Sequence, residues 1–184
     1  MVARELIHVI LSQFVLAPDG EHGVAHWGRV LQNGLLLATG TDANRGIIEL
    51  FAVLHDARRL SDGDDPLHGR RAVELAATLR GIYFQLSDAE FVLLSTAIAY
   101  HTDGHIDDDI TVQICWDADR LDLGRGGITP DPRYLCTPAA REPELITWAT
   151  QRAQRDEVPR LVTRIWAAWP GASIMPSAPG IEHL

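Results

Sequence analysis

The chain has 184 residues and a formal net charge of −9, from 25 acidic and 16 basic side chains. All 16 basic residues are arginines, which excludes Schiff-base chemistry at a lysine and a lysine-containing phosphate-binding loop. The acidic balance disfavours binding to nucleic acid or to an anionic membrane. Two cysteines cannot build a disulfide framework, and no signal-peptide pattern is present, so we expect a cytoplasmic protein. The length suits a single domain spanning residues 1–184.

Helical periodicity runs through most of the chain, and no alternating strand pattern, internal repeat or low-complexity linker is visible. The apolar spacing predicts helices at about 6–15, 22–38, from 44, from 67, 87–101, 110–123, 142–155 and 158–168. Ser87 and Glu90 have the spacing of a capping box at the start of the fifth helix. Residues 124–138 are predicted to form an extended connection, and residues 169–184 an irregular tail after the C-terminal helices at 141–168. The sequence therefore predicts an all-α bundle.

Several of these helices carry a histidine or an aspartate at one end of their apolar stripe. The residues concerned are His26, His55, His68, His101 and Asp119, with Asp56 directly after His55. A buried imidazole or carboxylate needs a partner, because its desolvation costs several kcal/mol. A cation in the core of the bundle would satisfy all of them together. Nitrogen and carboxylate ligands without thiolates favour iron, manganese or zinc.

Each of these residues also has a structural interpretation. His26 can be a hydrogen-bonded core histidine, and His68 can be a residue at a helix start beside an acidic loop. Asp117 and Asp119 lie about 200° apart around a helix, so only one of them can face a common centre. Periodicity alone leaves both aspartates open.

The order of these residues resembles the HD superfamily of metal-dependent phosphohydrolases, over about residues 22–125. The family motif is a histidine, a later His-Asp doublet and a distal aspartate. The matching segments are His26-Trp27-Gly28-Arg29-Val30, Leu54-His55-Asp56 and Ala118-Asp119-Arg120-Leu121. The resemblance implies an all-α HD-domain bundle with a metal centre in its core. It favours Asp119 over Asp117 as the distal ligand.

A subset of the superfamily has two further histidines and a second metal position, and His68 and His101 stand where these would be. Residues 99–104 and 118–125 look like the bacterial HD-type dinucleoside tetraphosphate hydrolases. The likeness implies one divalent transition-metal ion held by His26, His55, Asp56 and Asp119. Asp56 would bridge to a second ion held by His68 and His101. The Glu-Asp pair of the alarmone hydrolases and the Gly-Tyr-Pro element of the cyclic-di-GMP phosphodiesterases are both absent, so those specificities are not expected.

The resemblance implies hydrolysis of a phosphate ester or anhydride in a small molecule, with a nucleotide as the expected substrate. Asp56, Arg59 and Asp103 are the predicted catalytic residues. Positive charge for the phosphate must come from metal or arginine, since lysine is absent. The candidate arginines are Arg29, Arg58, Arg59, Arg120 and Arg125, each of which can instead form a salt bridge. Asp103, His105 and Asp107 are candidates for proton transfer, unless they belong to a solvated loop. Trp27 and Trp116 are candidates for stacking on a base, unless they belong to the core.

Two other functions remain open. The same six ligands resemble the HD-type di-iron oxygenases, such as myo-inositol oxygenase, although the lack of lysine favours hydrolysis. The second alternative is a binding module that keeps the metal for stability or nucleotide sensing. The completeness of the ligand set argues against this alternative. The sequence predicts neither the oligomeric state nor the native metal.

Overall fold

A computed structural model of the chain describes residues 3–103, 107, 109–160 and 162. Within these residues the helices are α1 (Arg4–Leu11), α2 (Val24–Leu37), α3 (Arg45–Leu54), α4 (His68–Leu79), α5 (Asp88–Tyr100), α6 (Ile110–Arg120) and α7 (Pro143–Gln154). Three short 3₁₀ turns, Leu123–Gly126, Pro132–Tyr134 and Ala139–Arg141, separate α6 from α7. No strand occurs in the described ranges. The all-α prediction is confirmed.

Helix α3 is the centre of the fold. It packs against α1, α2, α4, α5 and α6. Seven of its ten residues are buried hydrophobics, from Ile47 to Leu54. Such a helix can pack against neighbours on every side. The ends of several of these neighbours lie close to its C-terminus. The chain leaves α3 at His55 and Asp56, which are therefore in the interior.

Helix α2 lies between α3 and α6 at short range. A Cβ atom on Gly34 would lie 2.5 Å from Cγ2 of Ile48 in α3 and 3.5 Å from Cβ of Ala118 in α6. Only glycine permits this approach. The amide of Asn33 donates a hydrogen bond of 2.9 Å to the carbonyl of Ala118 and fixes α2 against α6. These contacts set the positions of His26 and Asp119 relative to each other.

Side-chain caps mark three of the helix starts that matter for the site. Asn44 caps α3 and Asp109 caps α6, each accepting from two backbone amides of the first turn. Ser87 and Glu90 form the predicted capping box of α5. Such a cap contributes about 1 kcal/mol and fixes the helix register. For α5 the register places His101 at the C-terminal end of the helix.

Two predicted helices are shorter than the periodicity suggested. Helix α1 ends at Leu11 instead of reaching Val15, because the side chains of Ser12 and Gln13 both bond to the carbonyl of Val9. Helix α6 ends at Arg120 instead of Leu123, because the amide of Asp122 bonds to the carbonyl of Asp119 in a tighter turn. The connection predicted as extended contains 3₁₀ turns.

Some predictions concern residues that the structure does not describe. His105, the greater part of the 158–168 helix and the 169–184 tail lie outside the described residues. The single-domain organisation stays a prediction. No helix in the described part of the chain is long and apolar enough to cross a membrane.

Candidate metal centre

The fold brings the six predicted ligands to one buried place. His26 lies in the first turn of α2, and His68 is the first residue of α4. His55 follows the last residue of α3, and His101 follows the last residue of α5. Asp119 is in the last turn of α6. All six residues are at most 9% exposed. Helix ends from five elements thus converge, which linear spacing alone does not reveal.

Asp56 lies between two groups of these residues. Its Oδ2 is 3.5 Å from Nε2 of His26 and 3.5 Å from Nε2 of His55. Its Oδ1 is 3.2 Å from Nε2 of His68 and 3.6 Å from Nε2 of His101. Each oxygen of one carboxylate therefore faces a different pair of histidines, which is the arrangement of a bridging ligand.

We call His26, His55, Asp56 and Asp119 the first ligand set, and His68, His101 and Asp56 the second. In the first set the two Nε2 atoms lie 3.0 Å apart, and Oδ1 of Asp119 lies 3.4 Å from His26 and 3.7 Å from His55. In the second set the two Nε2 atoms lie 2.9 Å apart. Ligand atoms about 2.1 Å from a metal ion lie about 3.0–3.4 Å from one another in octahedral or tetrahedral geometry, so both sets have suitable spacing.

The Nδ1 atoms of the histidines are fixed by acceptors. Nδ1 of His55, His68 and His101 donates to the carbonyls of Phe51, Asp65 and Ile98, at 3.2, 2.5 and 2.7 Å. Nδ1 of His26 donates to the carboxylate of Asp122 at 2.8 Å. A neutral histidine whose Nδ1 carries the proton has a lone pair on Nε2.

The Nε2 atoms of His26 and His55 face each other at 3.0 Å, and those of His68 and His101 face each other at 2.9 Å. In the same cluster Oδ1 of Asp119 is buried and has no hydrogen-bond partner in the described residues. Buried polar atoms without partners cost about 1–3 kcal/mol each. A cation at each ligand set would satisfy these atoms, so the residues fit one or two divalent metal ions.

The titration of the cluster leads to the same conclusion. Burial is the largest influence on His55 and lowers its pKa to about 3, although Asp56 and Asp119 oppose it. Burial would raise the pKa of Asp56, but the neighbouring histidines, His55 foremost, outweigh it and hold this pKa well below its usual range. The same balance, with Arg125 contributing, lowers the pKa of Asp119 to about 2. Both carboxylates are ionised in the interior and need cations there.

Asp122, which is not among the six predicted ligands, supports His26 from behind. Its second oxygen accepts a bond of 2.8 Å from Nε of Arg29, and Nη1 of Arg29 pairs with Asp156 at 2.8 Å. The prediction of Arg29 as a candidate phosphate ligand is therefore wrong, because its buried guanidinium is used by carboxylates behind the site. The spacing of Asp122 three residues after Asp119 is the sequence signal that could have indicated its place.

A second residue missed by sequence reasoning is His22. It is buried, its Nδ1 lies 3.0 Å from Oδ1 of Asp62, and its ring meets the ring of His26 edge-on. Burial lowers its pKa, against the attraction of Asp56 and Asp62. The predicted helix begins at residue 22, whereas the structure starts α2 at Val24 and leaves His22 in the loop before it. The position of His22 four residues before His26 is the sequence signal that could have indicated it.

Close packing of α4 on α5 forms the second ligand set. A Cβ atom on Gly69, the residue after His68, would lie 2.6 Å from the carbonyl oxygen of Ile98. A larger residue would push α4 away from the end of α5. Glycine at this position lets His68 reach His101 across the two helix ends.

The two aspartates of α6 have different surroundings. The carboxylate of Asp117 accepts bonds from the amides of Cys136 and Thr137 at 2.6 and 2.7 Å, and from the Thr137 hydroxyl at 2.7 Å. Burial raises its pKa, against these bonds. Asp117 holds the loop before α7, whereas Asp119 faces the histidines.

A cavity of about 410 Å³ opens beside the ligands. Asp56, His101 and Asp119 form part of its wall, and Arg59, Arg120 and Arg125 are also in the wall. Nη1 of Arg59 lies 3.5 Å from Oδ1 of Asp56 and 3.4 Å from Nε2 of His68, while its Nη2 donates to the carbonyl of Gly63 at 2.8 Å. Three arginines therefore lie in the cavity wall, together with Asp56, Asp119 and Asp131.

The other predicted functional residues lie elsewhere. Arg58 and Asp103 are not among the described residues that line this cavity, and Asp103 is exposed. Its catalytic role stays a prediction. Trp27 and Trp116 are 0% and 2% exposed and belong to the core, so the suggestion that they stack on a base is wrong. The indole of Trp116 donates to the carbonyl of Ala97 at 2.9 Å, and Trp27 packs edge-on against Phe14.

Comparison with known proteins agrees with this fold. No family model and no curated protein matches the chain. The chain is similar to the crystal structure of a predicted HD superfamily hydrolase from an uncultured Thermotogales bacterium, with a TM-score of 0.62 and 24% sequence identity. The match covers 90% of this chain and 92% of that chain. At this identity the likeness shows a shared fold. The HD-domain fold implied by the sequence resemblance is confirmed, and the finding does not extend to dinucleoside tetraphosphates.

Proposed function

We propose that the protein is a metal-dependent hydrolase of phosphate esters or anhydrides in a small molecule, with a nucleotide as substrate. The observation that carries the proposal is the position of Asp56. Its two oxygens face two pairs of histidine Nε2 atoms, next to a cavity whose wall includes three arginines. Such a combination suits hydrolysis at phosphorus, because the reaction develops negative charge on oxygens that cations must stabilise.

The donor set of the site supports a divalent transition metal. Four imidazole nitrogens and two carboxylates, with no thiolate, suit iron, manganese or zinc. His26, His55, Asp56 and Asp119 would hold one ion, and His68, His101 and Asp56 a second. When bound, these ions would lower the pKa of water and neutralise charge on a phosphoryl oxygen.

The residues of the cavity would bind and orient the substrate. Arg125 lies in the wall, where its side chain is 12% exposed, so its guanidinium offers donors to a phosphate oxygen. Arg59 is held in place by the carbonyls of Ser61 and Gly63, so its charge stays beside Asp56 without loss of side-chain entropy on binding. In the reaction, one P–O bond to the leaving oxygen breaks and one P–O bond to the oxygen of water forms. One proton of water ends on the leaving group.

The arginines favour this reaction over the two alternatives. A di-iron oxygenase would use the same ligands, and a sensing module would keep the metal without turnover. The cavity of either could function without arginines in its wall. Recognition of a phosphate explains why three arginines lie there.

Metal analysis followed by a substrate panel tests the proposal. Protein purified without chelator and reconstituted separately with Fe(II), Mn(II) or Zn(II) should bind at least one ion per chain. It should then release phosphate or a phosphorylated product from a panel of mononucleotides, dinucleoside polyphosphates and sugar phosphates. Treatment with EDTA should abolish turnover, and addition of the metal should restore it. Two bound irons with dioxygen uptake and no hydrolysis would indicate the oxygenase, and binding of a metal without any turnover would indicate the sensing module.

A further inference from the structure

The cavity beside the metal centre has two chemically different ends. Near the ligands its wall is charged, with Asp56, Asp119 and Arg125. The residues that follow α6 supply a wall that is mostly apolar. It is formed by Leu123, Ile128, Pro130, Tyr134 and Leu135, together with Thr129 and Asp131. A ligand that fits both ends carries an anionic group at one end and an apolar surface at the other.

The charged end has an arginine that is held in place. Nη1 of Arg125 donates to the carbonyl of Asp122 at 3.1 Å, and its Nη2 lies 4.0 Å from Oδ1 of Asp119. The side chain is 12% exposed and forms part of the cavity wall. An oxygen of an anionic ligand in the cavity would accept a hydrogen bond from this guanidinium.

The apolar wall is held rigidly from behind. Nη1 of Arg120 donates to the carbonyl of Tyr134 at 2.7 Å, and the amide of Cys136 donates to the buried carboxylate of Asp117 at 2.6 Å. Nε of Arg141 donates to the carbonyl of Leu135 at 2.8 Å. At the other end of the segment Gly127 takes a φ of 76°, which permits the turn into Ile128. These bonds fix the backbone and leave the side chains on its cavity side uncovered.

Two large side chains of this wall remain open to solvent. Ile128 is 56% exposed and Tyr134 is 57% exposed, although their backbone is held by buried partners. Exposed apolar side chains on a rigid cavity wall lose little entropy when a ligand covers them. An aromatic ring at such a place stacks on a flat ring of a ligand.

We infer that the cavity takes a phosphate monoester whose organic part carries one flat ring system, with Arg125 contacting the phosphate and Ile128 and Tyr134 contacting the ring. This inference rests on the proposed function and narrows its substrate class to a nucleoside monophosphate. The cavity volume of about 410 Å³ lies toward the lower end of the roughly 300–1,000 Å³ of small-molecule sites, and so suits one ring system instead of two. Tyr134 is a specificity-determining residue, because it meets the ring and not the reacting phosphate.

The test compares nucleoside 5′-monophosphates with ribose 5-phosphate, which has the phosphate and sugar but no ring base. With the metal-loaded protein, kcat/KM should be higher for the nucleotide. Tyr134→Ala should lower the nucleotide-to-ribose-phosphate ratio about tenfold, within the range for loss of one base–aromatic stack. Tyr134→Phe should keep the ratio. Arg125→Gln should weaken both substrates alike and leave the ratio unchanged.

Tyr83→Ala is the matched control, because Tyr83 is a partly exposed tyrosine of the turn between α4 and α5 and does not line the cavity. This substitution should leave kcat/KM unchanged for both substrates. Calorimetric binding of the same two compounds separates this inference from the proposed function. Preferential binding of the nucleotide that Tyr134→Ala removes would uphold ring recognition even without turnover. Equal binding and equal turnover of the two compounds by the unmodified chain would overturn it.

Discussion

Helix α6 separates two clusters of buried polar groups that differ in how well their atoms are satisfied. On one side, Asp117 accepts three hydrogen bonds from Cys136 and Thr137, so its carboxylate is fully used in holding a loop. On the other side, Asp119 has a buried oxygen with no hydrogen-bond partner in the described residues, and the histidine Nε2 atoms of the two ligand sets face each other at 3.0 and 2.9 Å. The two aspartates are two positions apart in the sequence.

The difference indicates which buried groups stabilise the fold and which are available to bind a metal ion. Satisfied buried groups contribute to folding, because each bond to a charged acceptor gives about 1.5–3 kcal/mol. Unsatisfied groups cost free energy in the metal-free chain and recover it only when a cation binds. We therefore expect substitutions on the Asp117 side to change the free energy of unfolding, and substitutions on the Asp119 side to change metal content and turnover.

Asp56→Ala should have the largest effect, because it removes the carboxylate that both ligand sets share. Bound metal should fall below a tenth of the parent value, and turnover should fall at least about a thousandfold, since metal ions contribute several kcal/mol to transition-state stabilisation. Elemental analysis and the phosphate-release assay measure these changes. Metal content equal to that of the parent chain would show that Asp56 does not bridge the two sets.

Exchanging the two aspartates of α6 for asparagine tests the comparison directly. Asp119→Asn should remove most turnover, because it removes a ligand oxygen. The metal-free protein should also lose some unfolding free energy in urea, because burial is outweighed by His55 and Arg125, which stabilise the ionised carboxylate and lower its pKa to about 2. Asp117→Asn should keep metal binding and lower that free energy by about 2–3 kcal/mol, because one amide donor of the loop then meets an NH₂ group. The opposite pattern would assign the ligand role to Asp117.

Periodicity was sufficient for the order of the described helices and for the ligand candidates, although not for every helix end. His55 and His101 extend stripes whose other members, such as Phe51 and Ile98, are fully buried, so their inward direction followed from i, i+3 and i+4 spacing. The same reasoning could not choose between Asp117 and Asp119, since each has apolar neighbours at helical spacing. The motif resemblance favoured Asp119, and its unsatisfied oxygen agrees with that choice.

Contacts between residues distant in sequence could not be predicted from the hydrophobic periodicity. Asp122 bonds to His26 across 96 positions, and Arg29 pairs with Asp156 across 127 positions. The end of α6 is another example, because a tight turn after Arg120 interrupts a periodicity that would have continued to Leu123. Tyr134 reaches the cavity wall only because buried bonds fold its loop back onto α6.

His68→Ala should produce a smaller change on the metal side than Asp56→Ala. It removes a ligand of the second set only, whereas the first set keeps both its histidines and both carboxylates. We expect the metal content of a two-metal protein to fall from two ions per chain to one, with reduced turnover. Elemental analysis distinguishes the outcomes, and His26→Ala is the matched variant for the first set. An unchanged metal count in His68→Ala would contradict the two-metal arrangement.

Asp122→Asn should have the smallest effect. Asp122 shares one feature with each of the two clusters. Its carboxylate is fully bonded, as on the Asp117 side, yet one of its two partners is His26, a proposed ligand, as on the Asp119 side. Substituting the carboxylate behind a ligating histidine costs about 10–100-fold in metal affinity, because the ring loses its orientation and some basicity. Competition with a metal-binding indicator measures this affinity. The same substitution also weakens the ion pair with Arg29, so the metal-free chain should lose stability as well. A loss of stability without any loss of metal affinity would place Asp122 with Asp117, as a residue that serves the fold alone.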